Sequence, residues 1–440
     1  MKFSLANEYK TKLSDDIAGL IDLDAPTSSW LKNFRTQEFS RFIKQSLPDR
    51  KTEHWKYNDV SFLGSENFTN AKISDKSNYS PSPLHLNETI IFVFIDGIFY
   101  PEHSTNQLGT GISATSFSDA NEKQIKIISS HLTSAKQQKN SLIQFNNSFS
   151  QNGLLIEIEK NKQITCPIYL YNICDNQVEN QLTSNHVVIN CEENSQCQII
   201  EHFSSKGNTS VLSLQQSVIN IEKLAQVDYC RVNLEKDSHR QIGRSLFLLQ
   251  KQSRLKSFFY SEGSQLNKTD IDVFHQGAHS ESQITGIYLP SENKVIDYHL
   301  NVEHQVANCT SRELFRGIIA DSAKATFNGK IHIFKDAQKS DAQLSNKNLL
   351  LTNQAEVNTK PELEIYADDV VCAHGATVAK IDDKAIYYLQ TRGIDKTRAK
   401  KMLSIGFINE LLEQIKNTEL KSFLTARVQA ELSEIKDDSN

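Results

Sequence analysis

Between Glu88 and about Ala367 the chain repeats one pattern: short runs in which apolar and polar residues alternate, separated by polar connections. The runs include IIFVFI (90–95), LLIEIE (154–159), IYLYNI (168–173), CQIIEHF (197–203), SVLSLQQSVINI (210–221), QVDYCRVNL (226–234) and KVIDYHLNV (294–302). Alternation of this kind puts one face of an extended strand in a core and the other outside. The interval between runs is often about ten residues, and the connections are rich in Asn, Ser, Asp and Gln rather than in NG or DG hairpin pairs. Outside this stretch the period is helical. Leu31, Phe34, Phe39, Phe42 and Ile43 recur at helical spacing over Trp30–Gln45, and a shorter helix is predicted over Asn7–Gly19. At the other end Met402, Ile405, Ile408, Leu412 and Ile415 form one stripe, and Leu420, Phe423, Leu424, Val428 and Leu432 form a second. The resulting division is a helical region and linker over 1–85, a β body over 86–380 and a helical region over 381–440. One helical excursion, Ala120–Gln138, interrupts the β body.

Glycine (16) and proline (8) are both scarce in 440 residues, against usual shares of roughly 7% and 5%. A jelly roll or double sandwich needs a tight reversal after every strand, and those reversals consume glycine and proline. A solenoid turns wide corners instead, and each coil buries its inward side chains on its neighbours. The fold expected is therefore mainly β, a parallel β-helix flanked by helical regions.

Charge is near balance, with 48 Lys and Arg against 53 Asp and Glu, and no basic block stands out, which argues against a nucleic-acid partner. No apolar run reaches the ~20 residues of a membrane span. The opening MKFSLANEYKTKLSDD has no apolar core of signal-peptide length, and the seven cysteines form no disulfide ladder and no CxxC pair. A reducing, cytoplasmic setting is expected. Trp55 and Tyr57 are two residues apart, which suits an extended segment laying both rings on the body of the protein.

The chemistry-bearing stretch is PELEIYADDVVCAHGATVAK, residues 361–380. On a strand Cys372 and His374 share a face. A thiol and an imidazole side by side suit a soft or borderline metal or an iron–sulfur fragment, but they make only half a site. The competing reading is a small buried thiol and a core imidazole. Cys309 has Arg312 and Arg316 nearby in sequence, and His275 and His279 (HQGAH) would not share a face, so these are taken as structural. Asp368–Asp369 and Asp382–Asp383 are the only candidates for a carbohydrate-active pair on a β-helix, and adjacent carboxylates on a strand point apart. There is no GxxxxGK[ST] loop for ATP.

Residues 311–382, SRELFRGIIADSAKATFNGKIHIFKDAQKSDAQLSNKNLLLTNQAEVNTKPELEIYADDVVCAHGATVAKID, resemble the C-terminal signature of the SufB/SufD family of iron–sulfur cluster assembly proteins. YLQTRGI (388–394), AKKMLSIGF (399–407) and LPDRKTEHWKY (47–57) carry the resemblance further. Gly375 follows His374 where SufB-like chains carry a glutamate, which indicates the SufD type. The resemblance implies a right-handed β-helix between helical regions and no enzymatic activity of its own. It further implies a scaffold role beside SufB and the SufC ATPase, with a homodimer expected when the chain is isolated. His374, with Cys372, would be the ligands offered to an iron or iron–sulfur species shared with SufB. Arg392, Gly393, Ile394, Met402 and Phe407 would lie in the region that binds the ATPase. No cofactor is expected to be held stably by this chain alone; the cluster would be transient at the interface. The alternatives are a structural adaptor without a metal role or, less favoured, a β-helix carbohydrate-active enzyme.

Overall fold

The computed structural model describes residues 28–66, 68–71, 83–84, 86–133, 140–150, 153–175 and 178–434. The helix expected over Asn7–Gly19 and most of the expected linker lie outside them. Two ten-stranded sheets face each other along the length of a β-solenoid. Sheet A takes the strands Leu154–Ile158, Gln181–Cys191, Val211–Ile221, His239–Leu249, Leu266–His275, Val295–His304, Lys324–Ile333 and Glu356–Ile365. Sheet B takes Ile168–Cys174, Gln196–Ser205, Gln226–Leu234, Arg254–Ser261, Glu281–Tyr288, Thr310–Ile319, Asp341–Leu350 and Val371–Lys380. The chain alternates between them, one strand of each per coil, and the strands between the first and last coils pair in parallel with the strands one coil before and after.

Stacking follows from the alternation of side chains. The inward row Ile219, Phe247, Val273, Val302, Ile331 is in register from coil to coil, and all five side chains are fully buried. Burial of each such side chain is worth about 1.5–3 kcal/mol, but only if a neighbouring coil covers it. At the N-terminal end the cover is built in: Ile112–Ser116 pairs antiparallel with Leu154–Ile158, and Ile98–Phe99 pairs antiparallel with Ile90–Ile95, which lies parallel beside Ile168–Cys174.

The corners explain why glycine is dispensable. Asn161, Asn194, Leu224, Gln252, His279, Asn308 and Lys339 each stand at the corner from sheet A to sheet B, one per coil, with φ between 57° and 63°. Each takes the left-handed conformation that a single non-glycine residue can tolerate at a cost of about 1–2 kcal/mol. The backbone N–H groups of Asn194, Leu224 and Gln252 donate to carbonyls of the next coil, those of Lys223, Lys251 and Ala278. The unequal spacing of these residues, 27 to 33 positions, is why no exact repeat is visible in the sequence.

The interior is not wholly apolar. Arg231 is fully buried within the solenoid, bonded to Gln215, Asn233 and Ser245 and 3.7 Å from Glu201. Nothing in the strand pattern singled it out.

Among the described residues six helices of eight or more residues flank the solenoid. α1 (Ser29–Phe42) ends one residue short of Ile43, which is 41% exposed instead of part of the buried stripe. Its buried Arg35 and Glu38 bond to Ser148 and Asn147 of α3 (Ser141–Phe149). The helical excursion is α2 (Glu122–Leu132), opened by a capping box between Asn121 and Gln124; α3 was not anticipated. Trp55 is buried, but it closes a turn of 3-10 helix (Glu53–Trp55), and Tyr57 is 43% exposed, so the two rings do not lie on one surface.

The C-terminal helices α4 (Asp383–Gln390), α5 (Lys396–Leu412) and α6 (Thr418–Glu434) do not hang from the end of the solenoid. Ile408, Leu412, Leu420, Leu424 and Val428 pack on the outer face of sheet B against Tyr171, Cys230, Tyr260 and Ile318. Arg427 adds a bond from its Nε to the buried carboxylate of Glu262 at 2.8 Å. Met402 departs from the stripe and is 46% exposed.

Leu224 is a long aliphatic residue held at φ 63° and 37% exposed. Leu224→Asn should raise stability by about 0.5–1 kcal/mol, seen as a higher urea midpoint with unchanged slope.

Candidate metal and partner site at the open end of the solenoid

The last two strands, Glu356–Ile365 and Val371–Lys380, each have a sheet neighbour on one side only. Among the described residues nothing covers this end. Their second edges therefore present unpaired backbone groups, and the side chains that would face a further coil are open: Ile365, Tyr366, Val371 and Val378 are 41%, 62%, 63% and 47% exposed. The inward row of sheet A shows the change directly, since Ile331 is fully buried and its register partner Leu363 only partly so.

Cys372 and His374 lie on this terminal strand, and the expectation that they share a face holds. Cys372 stands over Ala342 and Ser311, and His374 over Leu344 and Glu313, in the inward rows of sheet B. Ala342, Leu344, Ser311 and Glu313 are buried, whereas Cys372 is half-buried against the core and His374 is exposed. The chain thus carries a thiol and an imidazole on the surface that a further coil would have covered. Burial, with Asp341 and Glu313 adding to it, raises the Cys372 thiol above its ordinary value, so at neutral pH it is protonated. A metal binding there would displace that proton. Among the described residues no three His, Cys, Asp or Glu side chains converge in a way that could hold a metal ion.

Cys309 is buried, takes a hydrogen bond from Ser280, and its thiol is raised by burial; the two arginines do not activate it. His275 bonds Ser280 and Ser282 inside the core, His279 is a corner residue, and Asp382 caps α4 through Lys384.

The residues expected at an ATPase-binding surface lie on α5 and on the turn that joins it to α4. Arg392, Gly393 and Met402 are exposed, while Ile394 and Phe407 are half-buried, Phe407 under the Arg316 guanidinium at 5.9 Å. Gly393, at φ 81°, makes the left-handed turn between α4 and α5. Reading the sequence missed Tyr387 and Tyr388, 69% and 58% exposed, of which Tyr388 accepts a bond from Arg392 at 2.9 Å. Adjacent aromatics on a helix were the available signal, since one face of α4 alone packs inward, through Ile386.

Comparison with known proteins places this architecture. Residues 173–407 match the SufBD core domain of the SUF system for FeS cluster assembly, and residues 11–170 match the SufBD protein N-terminal region. The chain belongs to the SufBD family. It is 29% identical to the iron–sulfur cluster assembly protein SufD of Escherichia coli K12, over 89% of this chain and 91% of that one. It is 26% identical to an iron–sulfur cluster assembly SufBD family protein of Synechocystis, over 86% of each. SufD of Bacillus subtilis is 21% identical, over 91% of this chain and 94% of its own length. No helix of the described residues is long and apolar enough to cross a membrane.

In the native protein a small alkylating reagent should label Cys166 and Cys372, the two half-buried thiols, and spare Cys174, Cys191, Cys197, Cys230 and Cys309, which are buried. Peptide mass mapping after a short exposure checks this, and the Cys372 rate should still be rising with pH above the ordinary thiol range, because burial raises that thiol.

Proposed function

We propose that this chain is a non-enzymatic scaffold subunit of iron–sulfur cluster assembly, working in the cytoplasm beside a SufB-type subunit and a SufC-type ATPase. The observation that carries the reading is the uncovered solenoid end: two open strand edges, exposed apolar side chains, and Cys372 and His374 among them. A homologous β-helix would cover that end by adding strands to both sheets, and its own ligands would complete the pair. The cluster, as product rather than resident cofactor, gains from such divided ligation because neither subunit holds it alone. Without the SufB-type partner the same end would pair with a second copy of this chain. The ATPase would dock on the patch formed by Arg392, Gly393, Ile394, Met402 and Phe407, with Tyr387 and Tyr388 extending it.

For Cys372 a packing role is a second reading, favoured by its contact with the core and its raised pKa. Cys372→Ala with full cluster yield would establish it.

His374→Ala should leave the complex with a SufB-type subunit intact and lower reconstituted cluster, read from its visible absorption, by about tenfold or more; an unchanged yield would remove the metal role. Val378→Lys should abolish co-purification of the SufB-type subunit, because it places a charge on the apolar end. Arg392→Glu should weaken ATPase capture at unchanged thermal stability, since the side chain is exposed. Deleting α5 and α6 would be a poor test, because it would strip the apolar cover from sheet B.

A further inference from the structure

Residues 47–59 run as a strap over the outer face of sheet A and reach from Lys268 and Asp297 to Lys360 on the terminal strand. The strap and the sheet enclose a cleft of about 700 Å³. Three polar contacts and one aromatic contact pin the strap to polar side chains of sheet A. Asn58 bonds Asp297, Glu53 pairs with Lys360, and the Trp55 ring lies 4.9 Å from the Lys268 ammonium. The fourth contact is unusual: His54 Nδ1 lies 3.1 Å from His299 Nδ1, in residues 245 positions apart.

Two Nδ1 atoms make a hydrogen bond only when one carries a proton and the other a lone pair. His299 Nε2 lies 2.9 Å from Asp297 Oδ1. Although burial alone would raise it, Lys268, His299 and Asn58 hold the Asp297 carboxyl down at about 2, so it stays ionised at every pH of interest. With both imidazoles neutral, His299 turns Nε2–H toward Asp297 and its Nδ1 accepts a hydrogen bond from His54 Nδ1–H. One added proton on the pair still allows an N–H to face a lone pair across the contact, so the contact survives. A second added proton puts N–H against N–H, and the contact breaks.

Facing the pair are Lys268, Asp270 and Asp272 on the strand Leu266–His275, Asp297 beside His299, and Arg244 on the strand His239–Leu249. Glu303, on the strand of His299, lines the same cleft, so carboxylates outnumber cations around the pair. Further out, Lys330 and Lys360 are paired with Glu364 and with Glu53 and Glu362.

We propose that His54 and His299 form a proton-operated latch, which holds the strap on sheet A until both imidazoles are charged and then releases it. The direction is consistent with the environment of His54, whose pKa is lowered chiefly by burial, with Asp270 opposing and His299 and Lys268 adding to it. A base that binds its proton less well folded than unfolded stabilises the closed state fully above the ordinary imidazole range near 6.5. That stabilisation is lost as the pH falls through the range below it. The doubly charged pair grows about tenfold per pH unit there. Release would uncover Lys268, Asp270 and Asp297, and with them the floor of the cleft.

The chain has two tryptophans, so Trp30→Phe leaves Trp55 as sole reporter. On acidification from about pH 7 to pH 5 its emission should move to longer wavelength while far-UV circular dichroism stays native, and adding His54→Gln, which cannot titrate, should remove the shift. Hydrogen exchange of the otherwise unmodified chain gives an independent reading: amides of residues 51–59, corrected for intrinsic rates, should exchange about tenfold faster for each unit of acidification. Emission that stays constant until global unfolding, a transition unchanged by His54→Gln, or corrected exchange that does not vary with pH would each overturn the latch.

Discussion

A coil of a solenoid cannot bury its own inward face; it borrows a ceiling from the next. Every coil but the last meets that condition here, through parallel ladders in which Ile219, Phe247, Val273, Val302 and Ile331 stack without offset. The final coil repeats the inward pattern with nothing above it among the described residues, which leaves Leu363, Ile365, Val378, Cys372 and His374 partly or wholly open. The contrast with the N-terminal end, closed by antiparallel strands, makes the open end a feature of construction and not a fraying terminus. Apolar side chains and free edges left together are the two attributes of a surface awaiting another β body.

Coil geometry also accounts for what the interior tolerates. Corners taken by single left-handed residues, Asn194, Leu224 and Gln252 among them, let coil length vary while the strands stay in register. Buried polar groups such as Arg231 and Glu201 survive because Gln215, Asn233, Ser217 and Tyr229 bond to them. An arginine left without those partners would destabilise the core by several kcal/mol. On the outside, sheet B receives the C-terminal helices and sheet A receives the N-terminal strap, so the two flanking regions occupy opposite faces and leave the end free.

The candidate site was legible in part. The i, i+2 rule placed Cys372 and His374 together, and residues 311–382 carried a signature long enough to indicate the family. Their exposure was not legible, because the alternation in VVCAHGATV is the same in a covered coil and an uncovered one. The His54–His299 contact left no local trace at all, since two imidazoles 245 residues apart meet only after five coils have been stacked in the right order. The C-terminal stripes illustrate the opposite case: their spacing announced the burial of Ile408, Leu412 and Leu420 but not the exposure of Met402, and only the route of the chain after Lys380 could say that sheet B supplied the cover.

Period-two alternation, helical stripes at both ends and a shortage of glycine and proline were enough to determine the class of architecture, because each is a local consequence of which side chains must leave water. Which strand of one coil stacks on which of the next, where the array stops, and which charges then face each other were decided by tertiary structure. Those are matters of register between residues about thirty positions apart, and variable corners erase that register from the linear chain.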